Sequence, residues 1–338
     1  MTARLPFDPA QLDALLQARG VTSAPATLRR IGDGHSNLTY LLDDGHRRAV
    51  LRRPPPPPLP RGAHDVVREA RILQALAATD VPVPAVLLLE QDTGLMGVPF
   101  YVMEHLDGAV CTDALPPAID TPEQRAGVAE ALVDALAVLH AVDWQAGLAD
   151  LGRPDGFLER QLDRLPRLIA APDGTLPEPF AAYRDELAAT VPASSGAALI
   201  HGDLRLGNVM LASDPPARIL GVLDWELAAI GDPLADVAYT LTTYAVPGVP
   251  LHAVSAMSRA TLAEGFPGRD ALAARYAERT GCDVTALPWH EAFQLFKLAV
   301  LYEYSRRRGE DAYYADPGHV AGLLDATRHA LSSQRTPT

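Results

Sequence analysis

Lysine is nearly missing from this chain: Lys297 is the only one, and apart from the histidines every other basic side chain is arginine. Any chemistry in the first half of the sequence that calls for a lysine must therefore be carried by arginine. Cysteine is scarce too. Cys111 and Cys282 are the only two, which argues against a disulfide framework and fits a reducing compartment. No run of about twenty apolar residues occurs, so no membrane-spanning helix is expected. The opening MTARLPFDPAQLDALLQARG has no apolar core behind a basic segment, which argues against a secretory signal. The expected location is the cytoplasm. A net charge of −13 with no basic stripe to offset it argues against a nucleic-acid partner. A hydroxylated small molecule is the expected partner, and the oligomeric state stays open.

What is present is the profile of a soluble globular protein. With 338 residues, 48% apolar and 21% charged, the chain can form one large domain or two lobes around a sizeable core. The first hundred residues read as strands with one helix. TLRRIGDGHSNLTYLLDDGHRRAVLRRPP holds three short strand candidates, divided by the glycine-bearing turn at 32–34 and the hairpin signal Asp44-Gly45. Pro54 to Pro58 form a stiff extended spacer. HDVVREARILQALAAT follows as an amphipathic helix, with Val66, Ala70, Leu73 and Ala77 at helical spacing. VPVPAVLLLE and GVPFYVMEHLDG are the next two strands. Beyond residue 108 the chain turns helical. Thr121-Pro122-Glu123-Gln124 is a helix start with an N-cap, a proline at the first position and a capping-box glutamine. Val128, Leu132, Leu136 and Leu139 give that helix a buried face. Two short strands, ALI and ILGVLD, interrupt the helices at 197–224. The fold class is α+β, with a strand-rich first lobe over 1–104 and a mostly helical second lobe over 105–338.

The chemistry concentrates in HGDLRLGNVM, residues 201–210. Asp203 and Asn208 stand five apart in a loop too short for a helix, and Asp224 follows sixteen positions later. A tight loop would aim the first two into one cleft. A carboxylate with no cationic neighbour in sequence can accept a proton from an alcohol. Asn208 and Asp224 offer hard oxygens suited to magnesium, whose shell phosphates and water complete. The competing reading is a turn tied together by its own side chains. The order His201, Asp203, Asn208, Asp224 after a strand favours the D-x-x-x-x-N loop of phosphoryl transfer.

The stretch IHGDLRLGNVML…ILGVLDWELAAIGDPLADVAY resembles the aminoglycoside phosphotransferase-like family of small-molecule kinases, and within it the branch associated with acyl-CoA dehydrogenases. The resemblance runs from Ile31 to about Arg308 and implies a protein-kinase-like two-lobed fold. It implies that Asp203 is the catalytic carboxylate, that His201 and Gly202 shape its loop, and that Asn208 and Asp224 hold magnesium. Asp236, in GDPLADVAY, would brace the loop, with Asp232 a weaker candidate for the same area. IGDGHSN would be the phosphate-covering turn, with Gly34 at its tip and Ser36 and Asn37 as donors. AVLRR stands where a Val-Ala-Ile-Lys strand is expected. Alternation puts Val50 and Arg52 on one face, so Arg52 rather than Arg53 should meet the nucleotide. Glu69, on the next helix, would be its partner. In YVMEHLDG the Glu104 carbonyl and the Leu106 amide would take adenine, with Met103 behind it. The implied cofactors are ATP and Mg2+.

The acceptor is less legible. In HEAFQLFKLAVLYEYSRRRG, residues His290, Lys297, Tyr304 and Arg308 fall at offsets of seven, seven and four on one helix face. In the family this chain resembles the C-terminal helices border the acceptor cleft, so a cationic stripe there implies an anionic alcohol, and the resemblance to the branch associated with acyl-CoA dehydrogenases implies a hydroxyacyl-CoA. The alternatives are an aminoglycoside kinase and, from another class, a pseudokinase-like nucleotide-binding module. A metal-dependent hydrolase ranks last, because no His/carboxylate cluster has ligand spacing.

Overall fold

A computed structural model describes residues 7–32, 37–58, 64–309 and 311–334. The chain divides into two compact units, Met1–Gly108 with Leu220–Leu227, and Ala109–Ile219 with Ala228–Thr338. The division thus falls four residues after the expected boundary at 104, and a later segment joins the smaller unit. The reason is local: Val222 N donates to Pro82 O at 2.8 Å, and the buried Trp225 follows it in the same segment.

In the smaller unit α1 (Pro9–Ala18) starts at Asp8, whose carboxylate caps Ala10 N at 3.0 Å. Five strands follow, β1 (Thr27–Ile31), β2 (Leu38–Asp43), β3 (Arg48–Arg53), β4 (Val86–Glu90) and β5 (Phe100–Glu104). They form an antiparallel sheet in the order β1-β2-β3-β5-β4. The β2–β3 hairpin turns at Asp44-Gly45, where Gly45 adopts φ 85 and Asp44 N donates to Arg47 O. One sheet face carries Tyr40, Leu42, Ala49, Leu51, Phe100 and Val102, packed with Leu12 and Leu16 of α1. The other face carries Val50 opposite Met103 and Arg52 opposite Tyr101. Helix α2 (Val66–Leu76) buries Val66, Ala70, Ile72, Leu73 and Leu76. Ala77, expected on that face, is exposed because the helix ends there and Ala77 is its C-cap.

The larger unit opens with α3 (Pro122–His140), capped by Thr121 Oγ1, which accepts from Gln124 N at 3.3 Å. Val128, Leu132, Leu136 and Leu139 are buried as their spacing predicts. Gln124 does not close a capping box: its Oε1 accepts from Ala217 N at 2.7 Å instead. Then come α4 (Phe157–Arg164), α5 (Phe180–Ala189), β6 (Ala198–Ile200) and β7 (Val209–Leu211). Strand β8 (Ile219–Val222) leads into the segment that belongs to the smaller unit, and back in the larger unit β9 (Ala229–Gly231) pairs antiparallel with β6. Helices α6 (Pro233–Thr243), α7 (Arg269–Thr280), α8 (Leu287–Arg308) and α9 (Pro317–Gln334) complete it. Every residue of α6 is buried. Trp289, Phe293, Phe296 and Val300 of α8 share a core with Ala235 of α6 and Leu323 and Leu331 of α9. Among the described residues no helix is long and apolar enough to cross a membrane, and Cys111 and Cys282 are free thiols.

Candidate active site

In the larger unit, β6 ends at Ile200, His201 follows, and Gly202 turns the chain with φ 80. His201 is fully buried, and its Nδ1 accepts from Asp203 N at 3.2 Å. A single 3-10 turn over Leu206–Asn208 closes the loop. Asn208 Nδ2 donates both to Asp203 O at 2.8 Å and to Asp203 Oδ2 at 2.7 Å. The pair therefore does tie its own turn, but through the amide nitrogen, so the Asn208 carbonyl oxygen takes no part in that tie. The other carboxylate oxygen, Asp203 Oδ1, accepts from the Tyr239 hydroxyl. Arg205 Nε lies 3.5 Å from the same oxygen. This corrects the expectation of a carboxylate with no cation beside it: two residues along the loop is close enough once the chain turns.

Asp236 takes the His201 amide at 2.7 Å and the Gly202 amide at 2.8 Å, and His140 Nε2 stands 3.3 Å from it. Burial works against its charge, but the hydrogen bond and charge of His140, with the His201 contacts, outweigh it and hold the carboxyl below its ordinary range. Asp232 serves a different segment. It caps Leu234 N at 3.0 Å and accepts from Ser194 Oγ, Ser195 N and Ser195 Oγ, upstream of β6.

In the smaller unit Arg52 donates through Nε to Glu69 at 2.9 Å and through Nη2 to Asp224 at 2.6 Å. Arg53 takes the opposite face, fully buried over the Phe7 ring with its Nε on Pro54 O. Glu69 also receives Trp225 N at 3.4 Å and hydrogen-bonds Tyr101. Burial pushes its carboxyl up to about 7; Arg52 pulls against this, while Asp224 and Glu226 add to it. Arg52 itself is held above its ordinary range, because the attraction of Glu69, Tyr101 and Asp224 exceeds the cost of burial. Asp224 adopts φ 65, a left-handed conformation that non-glycine residues hold mainly where a site demands it.

Of the remaining nucleotide candidates, Gly34 and Ser36 lie outside the described residues. Asn37 is buried with neither side-chain polar atom partnered among the described residues. Met103 is half-buried across from Val50, on the Arg52 face. Glu104 N donates to Ala85 O at 2.8 Å. Leu106 packs against Gly221, where any side chain would collide with it. Asn208, in the larger unit, carries an amide oxygen, and Asp224, in the smaller, a carboxylate, each an oxygen type that magnesium accepts. Among the described residues no three His, Cys, Asp or Glu side chains gather as a metal cluster.

The stripe on α8 does not act as a unit. His290 is buried, with Nδ1 on Ala286 O at 2.9 Å and Nε2 3.6 Å from Asp232. Tyr304 and Arg308 pair with each other at the exposed helix end, 2.7 Å apart. Lys297 alone turns to the Asp203 loop: its ammonium lies 5.7 Å from the Tyr239 ring centroid and in the field of Asp203. The sequence reading missed Tyr239, Arg205, Tyr101 and His140. Tyr239 had a signal, since it follows Asp236 by three on one helix.

A sequence profile of the phosphotransferase enzyme family matches residues 27–276. The chain is 35% identical over 298 residues to the probable acyl-CoA dehydrogenase IBR3 of Arabidopsis thaliana, covering 82% of this chain and 36% of that protein. It is 35% identical over 227 residues to acyl-CoA dehydrogenase family member 10 of Mus musculus, covering 67% and 21%. The chain thus spans well under half the length of these curated relatives. Among solved structures, a candidate aminoglycoside phosphotransferase of Ralstonia eutropha superposes with a TM-score of 0.81 at 28% identity, covering 97% of this chain and 99% of that one. The GDP and kanamycin complex of the aminoglycoside phosphotransferase APH(2")-IIIa shares the fold at a TM-score of 0.61 and 17% identity, covering 96% and 99%. With the profile matched from the first strand of the small sheet into α7, the chain belongs to the phosphotransferase enzyme family and has its protein-kinase-like fold.

Proposed function

We propose that this chain moves the γ-phosphoryl group of ATP to a hydroxyl of a small molecule, with an acidic alcohol such as a hydroxyacyl-CoA as the acceptor. The observation that carries the reading is the Asp203 loop, in which a carboxylate hydrogen-bonded at both oxygens sits on a backbone braced by the buried Asp236. Asp203 receives the acceptor proton as general base. Asn208 and Asp224 are the residues that would offer oxygens to magnesium, which would supply charge neutralisation to the transferred phosphoryl group. Arg52 trades its hold on Asp224 for phosphate oxygens, while Glu69 keeps its Nε in place. Asn37, with Gly34 and Ser36, meets the phosphates. Met103, the Glu104 carbonyl and the Leu106 amide receive the adenine.

The acceptor class is supported by Lys297. It has no carboxylate or carbonyl partner among the described residues and feels Asp203, so an anionic group on the acceptor would supply its missing counter-ion. The names of the curated relatives, acyl-CoA dehydrogenase family members, favour an acyl-CoA over an aminoglycoside, although kanamycin is bound by one fold neighbour. A purely nucleotide-binding module would have no use for the clamp on Asp203. The test is a phosphate-transfer screen with Mg-ATP over hydroxyacyl-CoAs, hydroxy acids and aminoglycosides, with Asp203→Asn alongside. Turnover of an anionic alcohol that falls by about 10²–10⁴-fold in the variant, with Mg-ATP affinity retained, is the expected result. Faster turnover of kanamycin than of any anionic alcohol would overturn the acceptor assignment, and an undiminished rate in the variant would overturn the base.

A further inference from the structure

Helix α6 sets Asp236, Tyr239 and Thr240 on one face, at spacings of three and four. Each reaches the loop that bears the catalytic carboxylate. Asp236 takes the amides of His201 and Gly202, and Thr240 Oγ1 donates to Leu204 O at 2.8 Å. Those contacts hold backbone. Tyr239 is different, because its hydroxyl donates to the side-chain oxygen Asp203 Oδ1.

The surroundings of the two Asp203 oxygens differ. Oδ1 accepts one hydrogen bond, from the Tyr239 hydroxyl, and has the Arg205 guanidinium beside it, with Nε at an ion-pair distance of 3.5 Å but not hydrogen-bonded. Oδ2 has one, Asn208 Nδ2 at 2.7 Å. A carboxylate oxygen offers about two lone-pair sites, so each oxygen keeps one, but at Oδ1 the neighbouring Arg205 guanidinium takes up the space beside it. Without a tether on Oδ1, the carboxylate could rotate about its last torsion, which is broad and two-fold. Tyr239 is itself held, buried to 7% exposure with the Lys297 ammonium over its ring. Burial first, and then the neighbouring Asp203 charge, keep its phenol well above the ordinary range, so it remains a donor.

We propose that Tyr239 is a positioning residue that fixes the rotation of the Asp203 carboxylate through Oδ1 and so presents Oδ2 to the acceptor hydroxyl. The proposal rests on Asp203 being the base. Displacement of a reacting group by about an ångström costs on the order of 10²-fold in rate, which is the scale of effect available to a lost tether.

The test is a double-mutant cycle on the full chain, with Tyr239→Phe, Asp203→Asn and the pair. Mg-ATP is the probe and water the phosphoryl acceptor, read as single-turnover hydrolysis below the melting temperature of every variant. Tyr239→Phe keeps the ring that Lys297 covers. It should lower the hydrolysis rate about tenfold or more while Mg-ATP affinity stays within about twofold. The double variant should be no slower than Asp203→Asn alone, because Tyr239 acts only through that carboxylate. Multiplied losses in the double variant, or an unchanged rate in Tyr239→Phe beside a slowed Asp203→Asn, would overturn the proposal. A rate insensitive to Asp203→Asn, or no hydrolysis by the intact chain, overturns the functional reading on which it stands.

Discussion

Arg52 and Asp224 are joined directly, Nη2 to Oδ1 at 2.6 Å, while the Nε of the same guanidinium holds Glu69 at 2.9 Å. A planar fork can hold two carboxylates at once; a lysine ammonium in the same place is a single point. This is the physical content of finding arginine where lysine is the common residue.

The first prediction follows from that fork. Arg52→Lys keeps the charge but can satisfy only one of the two carboxylates well. The variant should fold, lose about 1–3 kcal/mol of unfolding free energy, and bind Mg-ATP about tenfold more weakly, a difference of about 1.4 kcal/mol. Urea denaturation and equilibrium nucleotide titration measure the two effects. Wild-type values for both would mean that the second ion pair contributes nothing.

Glu69 gives a pH dependence with a definite sign. Its carboxyl lies at about 7 in the folded chain against 4.5 for the free group, chiefly through burial. Between those values the folded state binds more protons than the unfolded state, so stability falls as pH rises. The contribution is fully present below about 4.5 and lost as pH passes about 7. Glu69→Gln cannot titrate and should flatten this part of the profile. Unfolding free energies of both proteins at pH 5, 6, 7 and 8 check it, and parallel curves would refute it.

Asp236 carries a stability prediction for the Asp203 loop. Removing it in Asp236→Ala orphans the His201 and Gly202 amides and leaves His140 without its carboxylate. Each buried unsatisfied donor costs about 1–3 kcal/mol, so a loss of about 3–5 kcal/mol is expected by chemical denaturation. The sequence already pointed here, because GDPLADVAY placed Asp236 by motif.

Other parts were legible for equally specific reasons. The Asp44-Gly45 turn fixed the β2–β3 hairpin, and alternation along β3 then separated Arg52 from Arg53. Glu69 stood at the edge of an apolar helix face, and the structure buries it. The three-residue strands β7 and β9 escaped notice because so few residues establish no alternation. Gln124 has the right residue type for a capping box, but a neighbouring loop offers it the Ala217 amide, which no local pattern encodes. The stripe on α8 failed on length. Residues seven apart on a helix share a face but stand about 10 Å apart along its axis. One end of α8 therefore meets Asp232, its middle meets Tyr239, and its far end is exposed.

That middle position carries the last prediction. Lys297 is half-buried, and among the described residues it has no carboxylate or carbonyl partner. Burial lowers its pKa, with Asp203 and Asp236 opposing. An ammonium kept from water without a counter-ion costs free energy, and a site that tolerates this cost is commonly one where function requires it. Lys297→Met keeps a similar unbranched stem and removes the charge. It should leave the fold intact and raise the unfolding free energy by about 1 kcal/mol. The same substitution should raise KM for an anionic alcohol by about tenfold, the equivalent of about 1.4 kcal/mol, and leave Mg-ATP affinity unchanged. Thermal denaturation tests the first half without any knowledge of the acceptor, and steady-state kinetics on a hydroxyacyl-CoA beside an aminoglycoside test the second. A less stable variant would show that Lys297 has a structural partner, and equal KM changes for cationic and anionic acceptors would show that it does not read acceptor charge.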